Sequence, residues 1–435
     1  MEPNMKQGAH STTIASDSYQ GRIVDDHRPL IMLALVIALA ILSQFYRSST
    51  GVIAPDIMVD LHLSAEDFGN LSSAFFVVFT LLQIPLGIFL DRFGARRVLS
   101  LMMLATIAGS FLFAFGQNLP QLIAGRLMMG FGCAGLMVGS LVVLSRWHSP
   151  ERFMRVMALL FASANAGSLV ATLPLASATA AFGWRGTFVG LGVLCAVLTV
   201  LFFAVVRDAP AGASPRTASN ATLWATVVDY RRVFDIRDLL YVAPMVAVGY
   251  ASVITVLGLW GGPYLHDVYG LSAVERGNVL AIMAIAMIAG TLFYGPLDKR
   301  FNSRKLVVFG GAAATAVLFL VLAVMPNLPL IATTVLLALI SFVGSYSLVT
   351  MAHGLALFTG DMAGRGSTTL NLCLMGGAAA IQSATGWVIG VMTSGETGAS
   401  SAPYAAVFLF LGLVTALALA AYCRAGDIKP ASRAK

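Results

Sequence analysis

The sequence predicts an all-α integral membrane protein, twelve transmembrane helices arranged as two pseudo-symmetric six-helix halves. Three observations predict it. Of the 435 residues, 58% are hydrophobic and only 11% charged, whereas a soluble globular chain carries about 25% charged residues. Twelve apolar segments each approach the roughly 20 residues that a helix needs to cross a hydrocarbon core about 30 Å thick. Finally, "GIFLDRFGARR" at 87–97 is nearly repeated by "GPLDKRFNSRK" at 295–305, with Asp91 and Asp298 lying 207 residues apart.

The elements follow in order. Residues 1–28 are polar, mixed in charge and too hydrophilic for a signal peptide, so they read as a cytoplasmic tail and the first span as a retained anchor. Spans are expected near 31–54, 66–90, 98–116, 120–144, 155–180 and 186–206, forming an N-terminal half over 29–206. Each must be a helix, because lipid offers no partner to backbone N–H and C=O groups. The segment 207–237 is the longest loop and carries Gly212, Pro210, Pro215 and five arginines; it reads as a cytoplasmic linker. Further spans near 238–262, 275–297, 305–325, 329–352, 366–392 and 402–423 form a C-terminal half over 238–424, leaving 425–435 as a second cytoplasmic tail. The seventh span starts 207 residues after the first, so a six-span unit is duplicated, the signature of a transporter with its site between the halves.

The net charge of +7 belongs to the loops. With the N-terminus in the cytoplasm, 23 of the 27 basic residues fall on that side and two, Arg185 and Arg276, on the other. This asymmetry places both termini in the cytoplasm of an inner, cytoplasmic membrane and removes any need for nucleic acid as a partner. The four cysteines lie in or at the ends of spans at unrelated spacings, which gives neither a disulfide framework nor a zinc site. Paired carboxylates, a nucleophile constellation and a nucleotide-binding loop are all missing, so the reading is a non-enzyme without cofactor, working as a monomer in the bilayer.

The repeated loop resembles that of the major facilitator superfamily, in which G-x-x-x-D-R-x-G-R/x-R/K joins spans two and three and recurs, degraded, between spans eight and nine. Here it reads Gly87, Asp91, Arg92, Gly94, Arg96 and Arg97, then Gly295, Asp298, Lys299, Arg300, Arg304 and Lys305 with one extra residue before the last pair. The resemblance implies an inner gate, with Asp91 docking on span eleven near Asp361 and Asp298 on span five near Arg152. A carboxylate at the positive end of a helix contributes about 0.3 to 2 kcal/mol, enough to bias a gate that must also open.

Within the spans, all 20 acidic residues avoid the middle, so two buried arginines, Arg47 and Arg126, have no acid at their own depth. An intramembrane charge is costly and normally faces a cavity. Around Arg47, Ser43, Gln44, Thr50 and Gly51 fall at i−4, i−3, i+3 and i+4, giving span one a polar face. The guanidinium fork suits a carboxylate, phosphate or sulfonate. Its place resembles the first-span arginine of organic-anion members of the superfamily, although the pseudo-symmetric position holds Ile254. Arg126, nearer the outer mouth of span four, ranks second, with snorkelling or a contact to Asp56 or Asp60 as its structural reading. Gln44, Tyr46, Gln83, Asn165, Tyr250, Asn371 and Gln382 complete the expected substrate-binding set, and interhelical hydrogen bonding is the plainer reading for many of them. Trp260 and Tyr264 read as interface anchors.

The expected function is alternating-access transport, by uptake or exchange, of a small organic anion held by Arg47. A proton or counter-anion is the possible co-substrate, since the six histidines lie in loops or at span ends and supply no obvious carrier. Efflux of drugs or siderophore-like metabolites is the alternative, weakened by the lack of G-x-x-x-G-P-x-x-G-G in span five. More remote are Cu(I) transport through Met129, Cys133 and Met137, and a receptor that binds without transporting.

Overall fold

A computed structural model describes residues 28–210, 236–358, 362–393 and 401–430, and all regular structure among them is helical. Twelve helices are long and apolar enough to cross a membrane, as the sequence predicts: Pro29–Ser48, Ala65–Phe93, Ala95–Phe115, Leu119–Trp147, Arg152–Val170, Leu173–Val205, Arg237–Tyr269, Ala273–Phe301, Arg304–Val324, Leu330–Leu355, Gly364–Thr393 and Ala402–Tyr422. In the sixth, the backbone leaves helical geometry at Gly183 (φ 69°, ψ 165°), inside the gap expected between spans five and six. Residues 173–182 therefore extend span five past its break at Ala171 and Thr172.

The duplication reaches into local structure. Spans two and eight both begin with a capping box: Ser64 Oγ accepts from the Asp67 N–H at 3.1 Å, and Ser272 Oγ from the Glu275 N–H at 3.4 Å, while each acid accepts from the serine N–H in return. This satisfies two otherwise orphaned donors at each helix start. Span one breaks at Ser49 and resumes as Thr50–Asp60. Span seven departs from α geometry 207 residues later, in a π-helical turn over Val256–Trp260, and resumes as Gly261–Tyr269. Spans four and ten are likewise interrupted, at Gly135 and at Gly344–Tyr346.

One end of the bundle carries Asp91, Asp298 and Tyr422 and is here termed the basic end; the far end carries Asp60, Arg185 and Arg276. The two halves meet closely at the far end. Thr50 Oγ1 donates to the Gly258 carbonyl at 2.9 Å, and a Cβ on Gly51 would lie 2.8 Å from the Gly258 carbonyl carbon. Glycine is what lets these two backbones touch. Ser383 Oγ donates to Ser73 Oγ at 2.9 Å, between spans eleven and two, and the Arg276 guanidinium, 3% exposed, reaches Asp56 at 3.4 Å. Trp260 and Tyr264 are not interface anchors. Both are fully buried, with Trp260 Nε1 donating to Thr385 Oγ1 at 2.8 Å and the Tyr264 hydroxyl to the Pro326 carbonyl at 2.9 Å, so neighbouring helices satisfy the polar tips that an interface anchor would present to water.

Candidate functional site

A cavity of about 550 Å³ lies between the halves. Span one presents Ser43, Gln44 and Arg47 to it, span two Phe79 and Gln83, span four Cys133 and Met137, span five Phe161 and Asn165, span seven Tyr250, and span eleven Ser367, Thr368 and Asn371. The lining extends to Leu141 and Gly364, near the basic ends of spans four and eleven, while the far end is closed by the seam of small residues. A smaller cavity of about 240 Å³ shares Gln44, Asn165 and Tyr250 and adds Ile254 and Thr291.

Arg47 is the centre of this site. Its guanidinium stands over the Phe79 ring at 4.9 Å, and its Nε is buried without a hydrogen-bond partner among the described residues. Among the described residues it is also the one charged side chain in either lining. A guanidinium has five N–H donors, and an aromatic face supplies attraction without accepting them. Gln44 donates to Ser168 Oγ at 2.9 Å, which fixes its amide beside Arg47. Asn371 Nδ2 donates to Gln83 Oε1 at 2.8 Å, joining spans eleven and two across the halves. The Tyr250 hydroxyl is buried with no partner among the described residues.

Six of the nine expected binding residues are thus brought together: Arg47, Gln44, Gln83, Asn165, Tyr250 and Asn371. The other three point elsewhere. Tyr46 is fully buried, and its hydroxyl meets Ser110 Oγ on span three at 2.6 Å; one residue along a helix is a rotation of about 100°, which takes it off the face of Arg47. Arg126 is 0% exposed and ties spans four, one and two together: it donates to the Tyr46 carbonyl at 2.8 Å and the Ser72 carbonyl at 3.5 Å and covers the Phe75 ring at 4.9 Å. It neither snorkels nor meets an acid. Gln382, 1% exposed, sits toward the closed far end, where its backbone carbonyl lies against Gly69. Of the sulfur residues on span four, Cys133 and Met137 line the cavity and Met129 does not.

At the basic end the repeated loops are mostly engaged within their own half. Arg96 donates its Nε and Nη2 to the Phe203 carbonyl at 2.9 and 2.6 Å and its backbone N–H to Asp208 Oδ1 at 2.8 Å. Gly94 has φ +81°, and a Cβ there would lie 2.6 Å from Asp208 Oδ2, so both its conformation and its neighbour demand glycine. In the second half, Asp427 Oδ1 accepts from the Lys305 N–H at 3.1 Å and Oδ2 from Ser303 Oγ at 2.6 Å, while Lys305 Nζ donates to the Cys423 and Ala425 carbonyls at 2.7 and 2.8 Å. Asp208 and Asp427 are therefore matching clips, each holding the start of one span to the end of another three spans later. Burial raises the Asp427 carboxyl, but the Ser303 hydroxyl and the N–H groups of Lys305 and Arg304 outweigh it and hold it below the usual carboxylate range.

Asp298 is buried and meets Arg304 Nε at 3.4 Å, whereas Asp91 is half-buried and Arg92, Arg97, Lys299 and Arg300 are exposed. Asp361 lies outside the described residues. His353 is fully buried at the end of span ten, between the Tyr422 hydroxyl at 2.5 Å and the Gly426 carbonyl at 3.0 Å, away from the cavity. Sequence reasoning missed Asp208 and Asp427. Each follows the last span of its half by a few residues, and only a comparison of the half-ends, as well as of the repeated loops, would have singled them out.

The family model of the Major Facilitator Superfamily matches residues 35–382. The chain belongs to this superfamily. It is a multi-pass membrane transport protein and not an enzyme. A "Probable L-galactonate transporter" of Escherichia coli K12 is 27% identical over 307 residues, 67% of each chain. A "Probable galactarate/D-glucarate transporter GarP" of the same organism is 27% identical over 357 residues, 76% of this chain and 78% of the relative. Among solved superfamily structures, a bacterial homologue of the human lysosomal transporter Spinster in an inward-facing, occupied conformation superposes with a TM-score of 0.73 at 15% identity, covering 90% of this chain and 96% of that one. A variant of the nucleoside transporter NupG gives 0.73 at 15% identity, with 91% and 99% covered. At that identity the two structures speak to the fold alone.

Proposed function

We propose that this protein is an alternating-access secondary transporter of a small organic anion, a hydroxycarboxylate of the kind named for its relatives, taken up or exchanged across the cytoplasmic membrane with both termini in the cytoplasm. The observation that carries the reading is Arg47: a guanidinium over an aromatic ring with an unpartnered Nε, the lone charge among the described residues lining a cavity between the two halves. A carboxylate can occupy its free donors bidentately, and the amides of Gln44, Asn165 and Asn371 stand where substrate hydroxyls would need partners. In this reading the cavity is open to the cytoplasm. Closure there, with Asp91 and Asp298 as latch, is coupled to parting of the Thr50–Gly258 and Asp56–Arg276 contacts at the far end.

The test is counterflow of labelled L-galactonate in proteoliposomes. Arg47→Ala should lower apparent affinity about 10- to 100-fold, the loss of charge-assisted hydrogen bonds of about 1.5 to 3 kcal/mol, and Arg47→Lys should recover part of it. Unchanged flux in Arg47→Ala, or flux only of cationic drugs, would make the arginine structural and favour efflux.

A further inference from the structure

We infer that the cavity selects organic anions bearing a single negative charge, so that a hydroxy monocarboxylate binds and the dicarboxylate of the same carbon skeleton is rejected. The inference rests on the organic-anion reading above and sharpens it. The relatives cover both kinds of substrate: L-galactonate has one carboxylate, whereas galactarate and D-glucarate have two.

The argument is one of charge count. Arg47 can neutralise one carboxylate. A six-carbon substrate held there by its C1 carboxylate extends toward the C-terminal half, and the wall it meets is Tyr250, Ile254, Met351, Asn371 and Leu374. None of these is a cation. The pseudo-symmetric counterpart of Arg47 is Ile254, which lines the smaller cavity. The buried, unpartnered hydroxyl of Tyr250 and the amides of Asn165 and Asn371 can donate to and accept from sugar hydroxyls. They cannot replace the hydration of a full second charge, which in a confined, largely apolar chamber is expensive unless it is paired. Arg126 does not help: it lies outside the lining, with Nη1 and Nη2 donating to the Tyr46 and Ser72 carbonyls.

The experiment compares matched pairs on the purified full-length protein. Thermal stabilisation is titrated with D-gluconate and D-glucarate, which differ only in a CH₂OH or a carboxylate at C6, and with L-galactonate and galactarate, between pH 7 and about 4. Occupancy converts the shift into an apparent Kd. At pH 7 the monoacids should bind on the order of 100-fold more tightly than the diacids. The gap should narrow toward pH 4, as protonation of one carboxyl turns each diacid into a monoanion, with the monoacid at the same pH as control. Equal or tighter binding of the diacids at pH 7, lost in Arg47→Ala, would overturn the single-charge rule and leave the organic-anion reading standing. Responses to neither kind of acid, or responses that Arg47→Ala leaves unchanged, would remove both.

Discussion

Arg47 and Arg126 are both arginines inside spans of the N-terminal half, yet they have different surroundings. Each has a buried Nε without a partner among the described residues, but Arg47 lines the cavity, whereas Arg126 lies outside it, against two backbone carbonyls and a phenyl ring. Replacing Arg126 with leucine should therefore cost stability, about 1 to 3 kcal/mol for the lost charged hydrogen bonds, without weakening the remaining folded fraction's affinity for substrate more than about threefold. A thermal melt alongside an L-galactonate titration checks both halves of that statement; a large affinity loss at unchanged melting temperature would place Arg126 in the site after all. The sequence distinguished these residues only in part. Helical spacing put Arg47 on a polar face, of which Ser43 and Gln44 share the cavity with it, whereas Thr50 and Gly51, beyond the break at Ser49, lie in the far-end seam. It could not show that Tyr46 turns to Ser110, because periodicity says which residues share a face and is silent on which neighbouring helix covers it.

At the scale of the helix, the decisive places are the breaks. The interruption of span one at Ser49 and the π turn of span seven over Val256–Trp260 bring Thr50, Gly51 and Gly258 into the far-end seam. π turns recur at functional sites, since one extra residue re-aims everything beyond it. A side chain at Gly51 would push the Gly258 backbone away, so Gly51→Val should hold the far end open. The expected outcome is transport reduced at least tenfold at near-normal membrane abundance, with cysteines introduced at the far end becoming reactive to a membrane-impermeant thiol reagent. Wild-type flux in this variant would show that the seam is not a moving contact. The twelve helices were legible because lipid enforces a length and a composition on each. The π turn was not, because its residues, "VLGLW", have no composition that separates π from α.

For the whole molecule, the duplication is more complete than the repeated loops alone suggest, since it extends to two capping boxes, two pairs of broken helices and the clips at Asp208 and Asp427. Clips within a half and a latch between halves predict different failures. Asp427→Asn should lower the melting temperature with little change in flux per folded molecule. Because the folded carboxyl titrates below its ordinary value, its contribution is present at neutral pH and is lost as the pH falls through the carboxylate range, so wild type and variant should converge below about pH 4. Asp91→Asn, by contrast, should lower flux more than abundance, and equal losses in both would deny it the latch. That Arg96 is held by the Asp208 clip was hidden in the sequence, where Arg96 looks the same as the exposed Arg97.

The solitary charge of the cavity also has an electrical consequence. In the proposed single-anion cycle a vacant chamber carries the one positive charge of Arg47 and a chamber holding a monoanion carries none, so the membrane field, about 2.3 kcal/mol per elementary charge per 100 mV for a full crossing, acts on the empty carrier and spares the loaded one. In that cycle voltage draws the vacant protein open toward the negative side of the membrane, so a more negative potential on one side should raise the share of empty carriers facing it.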